Sequence, residues 1–187
     1  MTAVSGIVLT GGQGRRMGGV DKGLQLLRGR PMVAWVLERL APQVDELIIN
    51  ANQNLDAYRG LGYPVVTDAI SGFAGPLAGL HAGLKAAAHP LVATAPCDSP
   101  FLPADLVSRL EKFLGENDLA VAKTGSQPHP VFALVRKDVL KNLESFLAGG
   151  GRKIDAWYAA LKTVEVQFDD EAEAFRNINT REELQRE

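Results

Sequence analysis

The segment LTGGQGRRMGG, residues 9–19, places five glycines and two arginines directly behind the apolar run at 7–9. An apolar run followed by glycines is typical of a strand that ends in a tight turn. At the carboxyl end of a parallel strand, such a turn lets backbone N–H groups approach phosphates closely. Arg15, Arg16 and Lys22 add cations suited to a polyphosphate whose leaving group gains charge during transfer. The segment therefore predicts a nucleotide phosphate site.

Two better-known phosphate motifs fit this segment poorly. The P-loop pattern is absent because Gly18 and Gly19 are followed by Val-Asp-Lys rather than by Lys-Ser or Lys-Thr. The dinucleotide fingerprint is only approximate because Met17 stands where a glycine is expected. A P-loop enzyme and a hydride-transfer enzyme are therefore disfavoured, whereas a mobile surface loop with solvated arginines remains an alternative.

Asp98 lies just past the predicted strand at 90–95, in the sequence PCDSP. Magnesium bound to a triphosphate keeps several waters and needs only one or two protein carboxylates. A single well-placed aspartate therefore suffices, and Asp98 is a candidate magnesium ligand. A turn aspartate between two prolines is the alternative.

Asp68 and Asn50 also lie at the ends of predicted strands, at 64–67 and 46–50. A carboxylate can accept hydrogen bonds from both N1–H and the exocyclic amino group of guanine, a pair of donors that the other common bases lack. Asn50 is suited to a base or a ribose. From the residues alone, turn formation or helix capping is the more common role of both.

The elements that position these residues alternate along the chain. Short β-branched runs alternate with amphipathic stretches, which predicts a mostly parallel sheet with helices on both faces, an α/β fold of three layers. The turn between the runs at 119–123 and 129–135 is too short for a helical crossover, so the sheet is expected to be mixed. The predicted strands are 5–9, 46–50, 64–67, 90–95, 119–123, 129–135 and 164–168, and the predicted helices are 31–41, 76–88, 104–115, 136–147 and 153–161.

Composition narrows the class of protein. A length of 187 residues predicts one domain over 1–187, and a net charge of -2 disfavours bulk binding to nucleic acid or to an anionic membrane. The single cysteine, Cys97, excludes an internal disulfide and is expected to be a small buried filler. The chain starts without a basic n-region and has no long apolar stretch, so we expect a cytoplasmic protein without membrane contact.

The signature Leu9-Thr10-Gly11-Gly12-x-x-x-Arg16-Met17-Gly18-Gly19-x-Asp21-Lys22 resembles that of the molybdenum cofactor guanylyltransferases. The resemblance continues in order through IINAN, VVTD, GPLAGL, PCDSP, HPVFALV and NINTREEL, and so covers nearly the whole chain. Thr10 is a departure, since the family usually has alanine there.

The resemblance implies a Rossmann-like nucleotide-binding half, similar to the nucleotide-diphospho-sugar transferases, and transfer of GMP from GTP to molybdenum-bound molybdopterin. It implies Mg²⁺ as cofactor, bound by Asp98, and transient contact of the protein with apo-molybdoenzymes or their chaperones. Catalytic roles are implied for Arg16, Lys22 and Asp98. The implied GTP-binding residues are Leu9, Thr10, Gly11, Gly12, Lys22, Asn50, Asp68 and Asp98.

Asn177 and Asn179 are candidate pterin-binding residues, mainly on the strength of the resemblance. They alternate on a predicted short strand, so both would face one side and could read the donor and acceptor edge of a pterin. Alternatively, Asn179 supports a helix that begins at Thr180, where Glu183 completes a capping box. Arg152 is either a clamp for the acceptor's phosphate or part of a solvated basic turn.

Other functions remain as alternatives. The cytidylyl enzymes for the same pterin tend to carry Ala-Ala-Gly where this chain has Thr10-Gly11-Gly12, which favours guanine. A sugar-1-phosphate nucleotidyltransferase would share the mechanism. A noncatalytic GTP-binding carrier of the cofactor would bind nucleotide without releasing pyrophosphate, and the presence of both Asp98 and Lys22 speaks against it.

Overall fold

The computed structural model describes residues 2–11, 20–70 and 75–186. The strands are β1 (Val4–Leu9), β2 (Leu26–Leu27), β3 (Arg30–Pro31), β4 (Glu46–Asn50), β5 (Val65–Val66), β6 (Leu91–Pro96), β7 (Leu119–Thr124), β8 (Gln127–Arg136) and β9 (Thr163–Gln167). The helices are α1 (Met32–Leu40), α2 (Leu55–Arg59), α3 (Pro76–Ala86), α4 (Leu106–Leu114), α5 (Leu140–Ala148), α6 (Ile154–Tyr158) and α7 (Arg181–Arg186).

The described residues contain one large mixed sheet with the strand order β5-β4-β1-β6-β8-β7-β9. β5, β4, β1 and β6 pair in parallel, and β7 pairs in parallel with β9. β8 runs antiparallel to both of its neighbours, β6 and β7. The mostly parallel mixed sheet and the antiparallel excursion at β7 and β8 are confirmed.

The side chains of β1 alternate between the two faces of the sheet, and helices cover both faces, which gives three layers. Val8 points into a core cluster shared with α1 and α4, while Ile7 and Leu9 point into a second cluster shared with α3, α5 and α6. Because successive side chains of a strand face opposite sides, one buried strand serves both cores. β1 is buried along its whole length, as expected for a central parallel strand.

A third and smaller cluster holds the carboxyl-terminal segment against the start of α1. Leu27, Met32 and Ile178 are buried together, with Trp35 and Phe101 packed against them. The prediction of a short strand at 177–179 is wrong, because this segment has no neighbouring strand to pair with. The predicted alternation remains, with Ile178 buried between two more accessible asparagines.

The helices are short compared with a membrane-spanning segment. Over the described ranges, none of them is both long enough and apolar enough to cross a bilayer.

Candidate active site

Four parallel strands bring their carboxyl ends to one edge of the sheet, and the predicted residues lie there. Leu9 ends β1 and is followed by Thr10, Asn50 ends β4, Asp68 follows β5, and Asp98 follows β6. β5 is shorter than predicted, so Asp68 comes two residues after its last paired residue. Ligands of open α/β sheets bind at this edge, outside the carboxyl ends of the strands.

A cleft of about 380 Å³ opens at this edge. Leu9, Thr10 and Gly11 line it together with Lys22, Asn50, Asp68 and Asp98. The opposite wall comes from the β7–β8 hairpin and the carboxyl-terminal segment, and consists of Gln127, Pro128, His129, Pro130, Val131, Phe132, Phe175 and Asn177. Gly12 and Arg16, which were also predicted to bind or act on the nucleotide, lie outside the described residues. The structure thus brings the described nucleotide candidates into one cleft.

Lys22 and Asp98 form an ion pair inside the cleft, with Nζ 3.4 Å from Oδ2. Burial raises the pKa of Asp98, and the ammonium group of Lys22 offsets part of that rise. Desolvation therefore outweighs the ion pair with Lys22, and a bound cation would help to stabilise the ionised carboxylate. A hard carboxylate oxygen in this position fits Mg²⁺.

Within the described residues, Asp98 does not belong to a cluster of side chains that could bind a metal by protein ligands alone. Across residues 2–11, 20–70 and 75–186, no group of three or more His, Cys, Asp or Glu side chains is placed to hold a metal ion. Magnesium at Asp98 would therefore need oxygens from the nucleotide and water, as is usual for Mg²⁺ bound with a triphosphate.

Asp68 is held by two asparagines. Nδ2 of Asn50 donates to Oδ1 at 2.8 Å, and Nδ2 of Asn52 donates to Oδ2 at 2.8 Å. The backbone N–H of Asp68 in turn donates to Oδ1 of Asn52. Asn50 is buried, so its amide group orients Asp68 across the ends of two strands. Asn52 was not identified as a site residue from the sequence, although it lies within the quoted motif IINAN.

Thr10 joins the first strand end to the second. Its backbone N–H and its hydroxyl both donate to the carbonyl oxygen of Asn50, at 3.0 and 2.7 Å. The hydroxyl that distinguishes Thr10 from the family's usual alanine is therefore satisfied within the protein. It adds a link between β1 and β4.

Asp21, the residue that precedes Lys22, is held in place by two hydrogen bonds. Its carboxylate accepts hydrogen bonds from the hydroxyl of Tyr58 at 2.5 Å and from the amide of Asn54 at 3.1 Å. Burial, followed by the hydrogen bond to Asp21, raises the pKa of Tyr58 above its usual range, so Tyr58 stays a donor. This fixes the start of the short 3₁₀ helix Lys22–Leu24. No sequence pattern indicated the role of Tyr58.

Gly79 allows helix α3 to approach the cleft closely. A Cβ atom at this position would overlap Oδ1 of Asn50 and would lie 2.9 Å from Cδ2 of Leu9. At Gly79 the structure shows packing, whereas Gly75 lines the cleft.

His129 lies on the hairpin wall, stacked on the ring of Phe175 with a centroid distance of 4.8 Å. Its Nε2 is 2.7 Å from the hydroxyl of Thr124. Burial lowers the pKa of His129, so the ring is neutral at neutral pH. The sequence patterns single out neither His129 nor Phe175 as a site residue, although His129 begins the quoted motif HPVFALV. Cys97 is buried as predicted, and burial raises the pKa of its thiol.

The two predicted pterin residues have separate contacts. Oδ1 of Asn177 accepts a hydrogen bond from the hydroxyl of Ser99, and Asn177 lines the cleft. Oδ1 of Asn179 accepts a hydrogen bond from Nζ of Lys22 at 2.8 Å. Arg152 instead donates to carbonyl oxygens at the end of α5, those of Leu147 and Gly151.

Comparison with known proteins agrees with the fold and with the family that the sequence motifs resemble. Residues 6–164 match the family described as the MobA-like NTP transferase domain. Molybdenum cofactor guanylyltransferase from Cupriavidus necator is 52% identical over 188 residues, covering 97% of this chain and 94% of that protein. The protein of the same name from Ralstonia nicotianae is 50% identical over 192 residues, again covering 97% and 94%.

A solved structure agrees over the same length. The crystal structure of molybdopterin-guanine dinucleotide biosynthesis protein A from Archaeoglobus fulgidus superposes with a TM-score of 0.80 at 28% identity. The match covers 97% of this chain and 95% of that one. The similarity therefore extends over nearly the whole length of both chains.

Proposed function

The chain belongs to the MobA-like NTP transferase family, and on that basis we propose that it transfers GMP from GTP to molybdenum-bound molybdopterin and releases pyrophosphate. The observation that carries this proposal is a single cleft that contains the Lys22–Asp98 pair at one strand end and Asp68 at another. The Lys22–Asp98 pair suits a triphosphate, and Asp68 suits guanine. The names of the relatives support the same reaction.

The base is selected at Asp68. Each carboxylate oxygen accepts one hydrogen bond from an asparagine and retains a lone pair for a ligand. Guanine presents N1–H and its exocyclic amino group side by side, so it can donate one hydrogen bond to each oxygen. Adenine and cytosine lack this pair of adjacent donors, and they would leave the carboxylate without its partners.

The reaction needs positioning and charge neutralisation rather than a general base. An oxygen of the acceptor's terminal phosphate, already an anion, forms a bond to the α-phosphorus of GTP as the bond to the β-phosphate oxygen breaks. The electron pair leaves with pyrophosphate, and Lys22 neutralises charge on the phosphates. Asp98 would hold Mg²⁺, which supplies further neutralisation of the triphosphate. Arg16 and the amides of Gly11 and Gly12 are proposed to contribute in the same way.

The acceptor occupies the hairpin side of the cleft. The nucleoside lies on the side of the cleft lined by Thr10, Asn50 and Asp68. The opposite wall, which contains His129, Phe175 and Asn177, is then free to contact the acceptor. A flat pterin ring is suited to this wall because prolines and aromatic rings provide contact area and Asn177 provides a polar group. The product would then pass to apo-molybdoenzymes or their chaperones in the cytoplasm.

A mass measurement of the product tests the proposal. The protein is incubated with Mg²⁺, GTP and molybdenum-bound molybdopterin, and the pterin fraction is analysed by mass spectrometry. The expected product is the acceptor increased by one GMP unit, with an equal amount of pyrophosphate. An adduct formed only with CTP would indicate the cytidylyl enzyme, and an adduct on a sugar phosphate would indicate the sugar enzyme. GTP bound without any adduct would indicate the carrier.

A further inference from the structure

Three successive residues, Asn177 to Asn179, form hydrogen bonds with Lys22 and with the residues that follow β6. Oδ1 of Asn177 accepts from the hydroxyl of Ser99, and the backbone N–H of Ile178 donates to the carbonyl oxygen of Asp98 at 2.8 Å. Oδ1 of Asn179 accepts from Nζ of Lys22 at 2.8 Å. Lys22 and Asn179 are 157 positions apart in the sequence, so this contact depends on the tertiary fold.

Asn179 is fixed on both sides. Before it, Ile178 is buried with Leu27 and Met32. After it, the backbone N–H of Asn179 donates to Oε2 of Glu183 at 2.6 Å, within the capping box that starts α7 at Thr180. A side chain held by a buried neighbour and a helix cap loses little additional entropy when it orients a partner.

The two partners of Lys22 differ in distance. The neutral amide oxygen of Asn179 is 2.8 Å from Nζ, whereas Oδ2 of Asp98 is 3.4 Å from it. The first distance is that of a good charge-assisted hydrogen bond and the second is long for one. Asn179 therefore provides the closer hydrogen bond to the ammonium group, and Asp98 keeps lone pairs for a cation.

We propose that Asn179 is a positioning residue for Lys22, and that it acts on the Mg-GTP half of the reaction. The inference rests on the proposed function, because it assumes that Lys22 binds the triphosphate. It places the effect of Asn179 on nucleotide binding before any acceptor is present. If Asn179 instead recognised the pterin directly, its replacement would leave nucleotide binding unchanged and would weaken only the binding of the acceptor.

A double-mutant cycle with Lys22 tests this. Mg-GTP binding is measured by titration calorimetry without acceptor for the wild type, N179A, K22A and the double variant. N179A is expected to weaken binding about tenfold, the usual effect of losing a hydrogen bond to a charged group. In the K22A background, the same substitution is expected to change binding less than twofold, because the group that it positions is gone.

Two further variants serve as controls. N179L keeps the branched shape and the number of heavy side-chain atoms while removing the acceptor oxygen, and it should reproduce the loss if N179A folds poorly. E182Q alters an exposed residue of α7 and should bind Mg-GTP like the wild type. Unchanged Mg-GTP binding in N179A and N179L, or an equal loss with and without Lys22, would overturn the inference. Failure of the wild type to bind Mg-GTP would refute the proposed function itself.

Discussion

The side-chain amide of Asn50 donates a 2.8 Å hydrogen bond to Oδ1 of Asp68 and so ties the end of β4 to the residue that follows β5. Asn52 holds the other carboxylate oxygen in the same way. A carboxylate fixed from two sides presents its free lone pairs in one direction. The structure therefore holds Asp68 in one orientation, as the proposed recognition of guanine requires.

Replacing Asp68 by asparagine should reduce the preference for GTP. The new amide group brings a donor against the donors of guanine, so a hydrogen bond to a charged acceptor is lost and a repulsive contact is added. We expect kcat/KM for GTP to fall by about 10- to 100-fold. The measurement is steady-state kinetics with GTP, CTP and ATP.

Asp56→Asn provides the matched control, because the Asp56 side chain on α2 is fully exposed. It makes the same chemical change away from the cleft and should leave all three rates as in the wild type. If D68N lost activity equally with every nucleotide, Asp68 would have no role in choosing the base.

Asp98→Asn should lower turnover and raise stability. Loss of a charge that acts on the transferring phosphate typically costs about 10²- to 10³-fold in kcat. Burial raises the pKa of Asp98 in the folded state, so folding free energy is lost as the pH rises from the ordinary pKa of 3.8 to the higher folded-state pKa. D98N removes this cost, and its Tm without ligand should exceed that of the wild type at pH 7.

The gain in Tm should shrink as the pH is lowered toward about 4, where the wild-type carboxyl is protonated as well. Thermal unfolding over this range measures it, with Glu116→Gln as a control at an exposed acid. A D98N protein that is less stable than the wild type at pH 7 would mean that the pair with Lys22 outweighs the burial of the carboxylate.

Gly79→Ala should weaken both folding and nucleotide binding. The added methyl group would overlap Oδ1 of Asn50, so α3 must move away or Asn50 must release Asp68. Inserting a methyl group into a packed contact costs about 1–3 kcal/mol. Denaturant unfolding and Mg-GTP titration measure the two effects.

Gly149→Ala is the comparison, because a Cβ there meets only backbone oxygens at 3.4 and 3.5 Å. G149A should leave both the free energy of unfolding and the affinity for Mg-GTP close to the wild-type values. Normal GTP affinity in G79A would show that Asn50 does not need this close approach of α3.

His129 predicts a pH dependence of stability. Burial lowers its pKa below the ordinary 6.5, so the folded protein favours the neutral ring. The stability that depends on this ring is complete above about pH 6.5 and is lost as the pH falls through the lower folded-state pKa. The Tm of the wild type minus that of H129Q should therefore decrease between pH 7 and pH 5. Parallel curves for the two proteins would contradict it.

The strand-end residues could be predicted from the sequence because they follow local patterns. Asn50, Asp68 and Asp98 each close an apolar run, and parallel strands bring such ends together. The order of the strands in the sheet was not predicted. The short turn before β8 did correctly indicate an antiparallel strand. The family resemblance added the expected roles.

The supporting contacts could not be predicted, because they join residues that are distant in the sequence. Tyr58 meets Asp21, and Asn179 meets Lys22, through packing that has no local signal. The segment at 177–179 was misassigned as a strand for a related reason. Its buried Ile178 produces the alternation of a strand, but it packs against a small cluster instead of pairing with the sheet.

Pyrophosphate release from GTP, CTP and ATP, each tested with Mg²⁺ in the presence and absence of molybdenum-bound molybdopterin, tests the central claim most directly. The structure and the family predict release with GTP alone, and only when the pterin is present. Release with CTP and not GTP would contradict the role of Asp68 while leaving the phosphate site intact. Absence of release with all three nucleotides would contradict the proposed transfer reaction.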